Sequence, residues 1–408
     1  MKILELKGKK ILIVGYGKEG HSTEAFLKAH VPDARISITD QKDGESYLKN
    51  QQDFDIAVRS PGVPKEQIKI PYTTATNIFF ANKGESEVIG VTGTKGKSTT
   101  AALIHRILSN SDKRSQLVGN IGTPMLDLLI SESSDETIIV CELSSYQLDD
   151  IKYSPHIAVV VSLFSDHVPY HKSLEKYHDA KKNIIRYQTE KDFYIYNPKF
   201  AVLSKWAKET KATSLPYRSF QVSSEILLKG EHNRDNIRAA ATVAKLYDIS
   251  DETVSKTLLT FKPLPHRLEY VGTYKDISFY DDAISTTPES TIAAIESLKN
   301  VKTIFLGGLD RGYDFAILIE TLKCYDVENI VLFPDTGARI KQLLENEKDY
   351  HPNIFDTQSM KSAVDFAYKN TPKESVCLLS TASPSYTLWT NFEEKGTEFQ
   401  KFIREGNA

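Results

Sequence analysis

The sequence predicts an α/β chain of three domains, and three observations carry that prediction. Short apolar strands recur from residue 10 to residue 379, each followed by a turn and then a helical segment. Two of the turns, at 15–20 and 93–99, have the glycine content of phosphate-binding loops. A stiff Lys262-Pro263-Leu264-Pro265 junction precedes a second run of alternating strands and helices. The expected boundaries are 1–86, 87–263 and 264–408: an N-terminal Rossmann-like domain, a central P-loop ATPase domain on a parallel sheet, and a C-terminal Rossmann-like domain.

The first domain opens on an apolar strand at 10–14. Gly15-Tyr16-Gly17-Lys18-Glu19-Gly20 follows, a G-x-G-x-x-G, and then a helix over 21–29. A second strand at 35–39 ends on Asp40, the spacing at which a dinucleotide fingerprint carries an acid for a ribose or base. The pattern suits NAD, any phosphorylated nucleotide lying over the turn, or an unliganded tight turn. A strand at 56–58 leads into Arg59-Ser60-Pro61-Gly62, a corner at a strand C-terminus, where α/β sheets bind ligands. A polar break at 83–86 closes the domain.

The second domain begins with Glu87 and a short strand. Gly90-Val91-Thr92-Gly93-Thr94-Lys95-Gly96-Lys97-Ser98-Thr99 follows and opens a helix. The strict P-loop pattern has glycine where Val91 stands, yet every chemical part is present. Glycines admit backbone N–H groups to phosphate oxygens, and the helix N-terminus adds partial positive charge. Lys97 neutralises the β/γ-phosphates, and Ser98 or Thr99 ligates Mg²⁺. Gly119-Asn120-Ile121-Gly122 offers amides and an amide side chain. A strand at 137–141 delivers Glu142, a carboxylate placed to hold Mg²⁺ beside a P-loop strand. The nearly all-apolar strand at 156–163 reads as buried on both faces and delivers Asp166-His167, with His171 beyond. A helix at 176–186 has a basic face. Asn233 and Asn236, three apart at the start of an alanine-rich helix, can face one way or cap it.

In the third domain, strands near 277–280, 303–306, 330–333 and 376–379 end on Asp281-Asp282, on Gly307-Gly308-Leu309-Asp310-Arg311, and on the segment from Ser380 to Ser385. These clusters are ligand candidates by the strand-end rule.

Composition sets outer limits. A net charge of -3 gives no electrostatic case for nucleic acid or an anionic membrane. No apolar run approaches the roughly 18 residues that span a bilayer. Cys141, Cys324 and Cys377 lack paired spacing and read as reduced thiols in a cytoplasmic protein.

With these motifs assembled, the chain resembles the Mur ligase family from about residue 8 to residue 402. The motif G-V-T-G-T-K-G-K-S-T resembles the family's ATP loop. E-L-S-S-Y-Q-L at 142–148, G-N-I-G at 119–122, G-G-L-D-R-G at 307–312 and N-F-E-E-K-G-T-E-F at 391–399 are similar to its D-glutamate-adding branch. D-H at 166–167, Y-H-D-A-K at 177–181, H-N-R-D-N at 232–236 and H-R-L-E at 266–269 fall in family order. The resemblance implies a UDP-sugar, not NAD, over Gly15, Lys18, Glu19, Asp40 and Ser60-Pro61-Gly62, with Asn120 and His167 nearer the reacting end. It implies ATP on Gly93, Thr94, Lys95, Gly96, Lys97, Ser98 and Thr99 with Asn233, Asn236, Arg267 and Asp282. It implies one Mg²⁺ on Ser98 and Glu142 and a second on His167 and a carbamylated Lys181, against the basic-face reading of that helix. Lys97, Glu142, His167 and Lys181 form the implied catalytic set. Thr286, Arg311, Ser385 and Phe392 are the implied D-glutamate contacts.

The activity so implied is ATP-dependent formation of an amide bond between UDP-N-acetylmuramoyl-L-alanine and D-glutamate, through an acyl phosphate and a tetrahedral intermediate, by a cytoplasmic monomer that closes its domains to complete the site. A ligase adding another amino acid, an NAD-dependent oxidoreductase and a non-catalytic nucleotide-binding module are the alternatives. Three departures stand out: Ser162 where many members have Asn, Ile284 where a Lys is frequent, and Ser380-Thr381-Ala382-Ser383-Pro384-Ser385 in place of the common S-P-A-x-A-S.

Overall fold

The computed structural model describes residues 1–131, 137–164, 168–221, 223, 225–228, 230–298 and 300–406, with backbone only at 168 and 169. The implied ligand His167, and Asp166 beside it, lie outside the described residues. The chain divides into two compact units, Met1–Ile226 with His232–Phe261, and Leu227–Glu231 with Lys262–Ala408.

The first unit holds two sheets. Strands β1 (Lys10–Val14), β2 (Arg35–Thr39), β3 (Ile56–Arg59) and β4 (Tyr72–Thr73) pair all-parallel in the order β2-β1-β3-β4. The period of two in β1 sends Ile11 and Ile13 into one apolar cluster and Leu12 and Val14 into another, so both faces of that strand are covered. Helix Lys18–His30 follows β1 and buries Phe26 and Leu27.

Strands β5 (Val88–Thr92), β6 (Ser115–Gly119), β7 (Ile138–Glu142), β8 (Ile157–Val160), β9 (Phe193–Tyr196) and β10 (Thr213–Pro216) form the second parallel sheet, ordered β10-β9-β8-β5-β7-β6. The expectation of a strand buried on both faces near 156–163 holds: all four residues of β8 are buried between β5 and β9. One apolar cluster joins Phe26, Ile78 and Phe79 of the first layer to Val118, Met125 and Leu126 of the second. Burying such side chains yields about 1.5–3 kcal/mol each, which binds the two sheets into one unit.

The second unit is a sheet of β11 (Glu269–Tyr274), β12 (Ile277–Asp281), β13 (Val301–Gly307), β14 (Asn329–Phe333), β15 (Asn353–Asp356) and β16 (Val376–Leu379), ordered β11-β12-β16-β13-β14-β15. Only the edge strand β11 runs antiparallel to its neighbour. Ile304 and Leu306 point to one face while Phe305 points to the other, and β14 repeats the pattern.

Candidate active site

The turn after β5 has the glycine geometry its sequence demands. Gly93 has φ +153° and Gly96 φ +85°. A Cβ on Gly96 would lie 2.3 Å from Asn236 Oδ1, and one on Gly93 would lie 3.0 Å from the backbone N of Ser162. Neither position accepts a side chain. Helix Lys97–Ser109 starts directly after Gly96. Its first N–H groups have no acceptor within the helix and present partial positive charge to the turn. Lys97 Nζ donates to the Thr94 carbonyl at 3.0 Å, and the Ser98 side chain is buried at the helix start. Asn236 reaches the loop from helix Glu231–Leu246 and donates to Asn233 Oδ1 at 2.9 Å. Both asparagines are buried inside the helix, so the capping alternative for Asn233 falls away.

Glu142 ends β7, the neighbour of β5 on one side. Its side chain is 1% exposed. Asn120 Nδ2 donates to Oε1 at 3.2 Å, while Oε2 is buried without a hydrogen-bond partner. A buried carboxylate oxygen with no donor is costly unless a cation meets it. The hard oxygen donors Ser98 and Glu142 therefore fit a Mg²⁺ ion, which when bound neutralises phosphate charge.

Lys181 lies on helix Leu174–Arg186, expected from composition to turn a basic face to solvent. The structure overturns that expectation: Lys181 is 1% exposed and its Nζ donates to the Gly93 carbonyl at 2.7 Å. Composition misled: the helical period of Tyr177, Ala180, Ile184 and Ile185 carries Lys181 onto the buried side with them. His171 is buried against Ser145 Oγ at 3.1 Å, and burial pushes its pKa down, which keeps the ring neutral.

At the first sheet, Gly15 has φ +89°, and a Cβ there would meet Ser60 Cβ at 2.8 Å. Ser60 Oγ donates to the Gly15 carbonyl at 2.8 Å, which brings the loops after β1 and β3 together. Asp40 spends both oxygens on backbone, accepting from Tyr16 N at 2.6 Å and Lys42 N at 3.1 Å. These donors hold its carboxyl below the usual range. Lys18 is exposed on the first turn of the helix. Glu19 points the other way: Oε1 accepts from Gln147 Nε2 at 2.5 Å, Oε2 is buried without a partner, and burial raises its pKa. Pro61 and Gly62 line the same corner.

In the second unit, β12, β16 and β13 are neighbours, and the loops at their C-terminal ends carry Thr286, Ser385 and Arg311 respectively. Leu309 N donates to the Pro384 carbonyl at 2.9 Å and Gly307 N to the Thr381 carbonyl at 2.9 Å, so the second and third loops are bonded together. Ser385 Oγ is buried without a partner, Arg311 is exposed, and Phe392 is half-buried with its ring 6.2 Å from that of His266. Asp282 is held by Ser380 Oγ at 2.8 Å and Leu268 N at 3.1 Å, and burial raises its pKa to about 6. Arg267 sits in the turn before β11.

The family description "Mur ligase middle domain" matches residues 91–225, and "Mur ligase, glutamate ligase domain" matches 266–383. The chain is 32% identical to a UDP-N-acetylmuramoylalanine–D-glutamate ligase of Oenococcus oeni, over 100% of both chains. It is 30% identical to one from Clostridioides difficile, over 97% of this chain and 98% of that one. The chain belongs to the Mur ligase family. Solved structures share the fold at low identity. UDP-N-acetylmuramate–alanine ligase from Thermotoga maritima gives a TM-score of 0.65 at 16% identity, covering 98% of this chain and all 100% of that one. The MurF ligase from the same organism, in complex with ADP, gives 0.65 at 15%, covering 99% and 97%. The expected three-domain α/β architecture and ATP-dependent ligase class are met.

The motif reading included two residues that bear on the loops of this Mur ligase but gave no sign of their burial. Arg59 has a fully buried side chain, which donates to the Val63 and Pro61 carbonyls and to Asp150 at 2.9 Å. It shapes the Ser60-Pro61-Gly62 corner from beneath; it is the last residue of β3, and a buried arginine leaves no periodic signal. Lys395, on helix Phe392–Gly406, is 0% exposed, and its Nζ donates to Thr381 Oγ1 at 2.5 Å. Burial lowers its pKa from an ordinary 10.5 to about 7, against the attraction of Asp281 and Asp282. Between those values the unfolded chain holds a proton that the folded chain does not, so this group makes stability rise with pH from about 7 to about 10. Lys395→Met is expected to flatten that rise in chemical-denaturation measurements. An unchanged slope would mean that the amine is solvated.

Proposed function

We propose that this Mur ligase joins D-glutamate to UDP-N-acetylmuramoyl-L-alanine at the expense of ATP, in peptidoglycan precursor synthesis. The observation that carries the reading is end-to-end similarity, at 30% and 32% identity, to two ligases of that name. A carboxylate does not react with an amine because oxide is its leaving group. Transfer of the γ-phosphoryl of ATP to the L-alanyl carboxylate gives an acyl phosphate. The amine of D-glutamate attacks it, and the tetrahedral intermediate expels phosphate.

The residues suit this sequence of steps. Lys97 and the N–H groups at the start of helix Lys97–Ser109 receive the phosphate chain, with Gly93, Thr94, Lys95, Gly96 and Thr99 shaping the loop. Asn233 and Asn236 border it on the adenosine side. Ser98 and Glu142 hold a first Mg²⁺, and Lys181, as a carbamate, serves a second with His167. Gly15, Lys18, Glu19, Asp40, Ser60, Pro61, Gly62 and Asn120 surround the sugar nucleotide. Arg311, Ser385, Thr286 and Phe392 receive D-glutamate; Arg311 is suited to a bidentate carboxylate contact, and the unpartnered Ser385 hydroxyl supplies a donor. No helix among the described residues is long and apolar enough to cross a membrane. We take the enzyme to act as a cytoplasmic monomer.

The test is phosphate release from MgATP with UDP-N-acetylmuramoyl-L-alanine and each candidate amino acid in turn. Release is expected only with both the sugar nucleotide and D-glutamate. Turnover with L-lysine or meso-diaminopimelate and none with D-glutamate would keep the ligase and reassign its acceptor, a shift that Ile284 in the loop after β12 would then explain.

A further inference from the structure

We propose that Ser162 is a positioning residue of the phosphate-binding loop, a role that rests on the ATP-dependent reading above. Ser162 follows β8, the neighbour of β5 on the side away from Glu142. It is 8% exposed. Its hydroxyl accepts from Lys95 N at 2.9 Å and donates to the Lys95 carbonyl at 2.8 Å. One oxygen thus holds both polar groups of a single loop residue. The Ser162 carbonyl also accepts from Thr94 N at 2.9 Å.

The consequence is a division of labour among the loop amides. Thr94 and Lys95 give their N–H groups to residue 162, so they fix the loop to the sheet and do not face phosphate. Phosphate then meets the positive start of helix Lys97–Ser109. Thr94 adds a second anchor: its Oγ1 takes the Phe164 N–H at 2.9 Å and lies 2.8 Å from the Tyr177 hydroxyl. The loop is therefore set before nucleotide arrives, and Ser162 is its pivot, because the Lys95 peptide is the last one before the left-handed Gly96. A loop that has lost this hold must be ordered by the nucleotide itself, and affinity falls accordingly.

Ser162→Ala is expected to weaken ADP and ATP binding about tenfold, measured by calorimetry, and to raise KM for ATP by the same factor. Affinity for the sugar nucleotide and the thermal midpoint should be nearly unchanged. Ser162→Asn, whose amide carries both a donor and an acceptor, should restore most of the nucleotide affinity. Equal ADP affinity in Ser162→Ala and the unsubstituted protein would overturn the role. So would equal losses in both variants, which would assign the effect to packing. If the unsubstituted protein binds neither ADP nor ATP, the ligase reading fails and takes this role with it.

Discussion

Lys97→Ala is expected to lower D-glutamate-dependent phosphate release by about a thousandfold, a barrier increase of about 4 kcal/mol. The ammonium is the cation supplied by the loop itself at the mouth of helix Lys97–Ser109, where its Nζ lies 3.0 Å from the Thr94 carbonyl. During phosphoryl transfer negative charge spreads over the oxygens of the moving group, and a fixed cation stabilises that distribution more than it stabilises bound ATP. The loss should therefore fall on kcat as well as on kcat/KM. Lys97 is only half-buried, so the thermal midpoint should hold. Lys97→Arg should recover little, since a broad planar fork cannot take the place of a compact point charge. Turnover in Lys97→Ala within tenfold of the parent would remove the loop from the chemistry.

The loop was legible in the sequence because its chemistry and its conformation use the same residues. Gly93 and Gly96 are needed for the turn, and both stand beside Lys97 and Ser98 in the chain. Central strands were legible for a similar reason: β8, and β14 from Ile330 on, are buried on both faces and are therefore continuously apolar. Several edge strands were not, although the edge strand β2 was. β6 is Ser-Gln-Leu-Val-Gly, β10 is Thr-Ser-Leu-Pro and β15 is Asn-Ile-Phe-Asp, each largely half-exposed and too short for an alternation to emerge. The antiparallel β11 carries a register shift between Tyr270 and Gly272, which breaks its period. At the site, Glu142 announced itself as a strand-end acid, but its bond with Asn120 joins two strand ends 22 residues apart, and no local pattern encodes such a meeting. Lys395 needed more still: only the packing of the last helix shows that its amine is enclosed beneath the 380–385 loop.

Lys181→Ala is expected to be nearly inactive, with a loss again of about a thousandfold, and its interpretation turns on what the amine does. As an amine, Lys181 Nζ donates to the Gly93 carbonyl at 2.7 Å and lies 4.9 Å from the centre of the Tyr177 ring. In that form it is a brace for the loop, and no ligand for a cation. As a carbamate it would exchange the donor for a carboxylate-like group of opposite charge. The two roles separate in rescue experiments. A short carboxylate such as acetate or propionate, added to Lys181→Ala, should restore part of the turnover if the missing group is anionic. A short alkylamine should restore it if the missing group is the brace. Nucleotide binding discriminates independently: loss of the brace should weaken ADP, because Gly93 then loses its hold, whereas loss of a distal anionic ligand should leave ADP affinity near that of the parent. Carboxylate rescue with preserved ADP affinity is the expected result. Rescue by amine together with weakened ADP would make Lys181 a structural partner of Gly93 and remove it from the proposal of a second metal site. Full activity of Lys181→Ala would exclude both roles, and the burial of an amine in this position would then be a cost that the fold bears for no catalytic return.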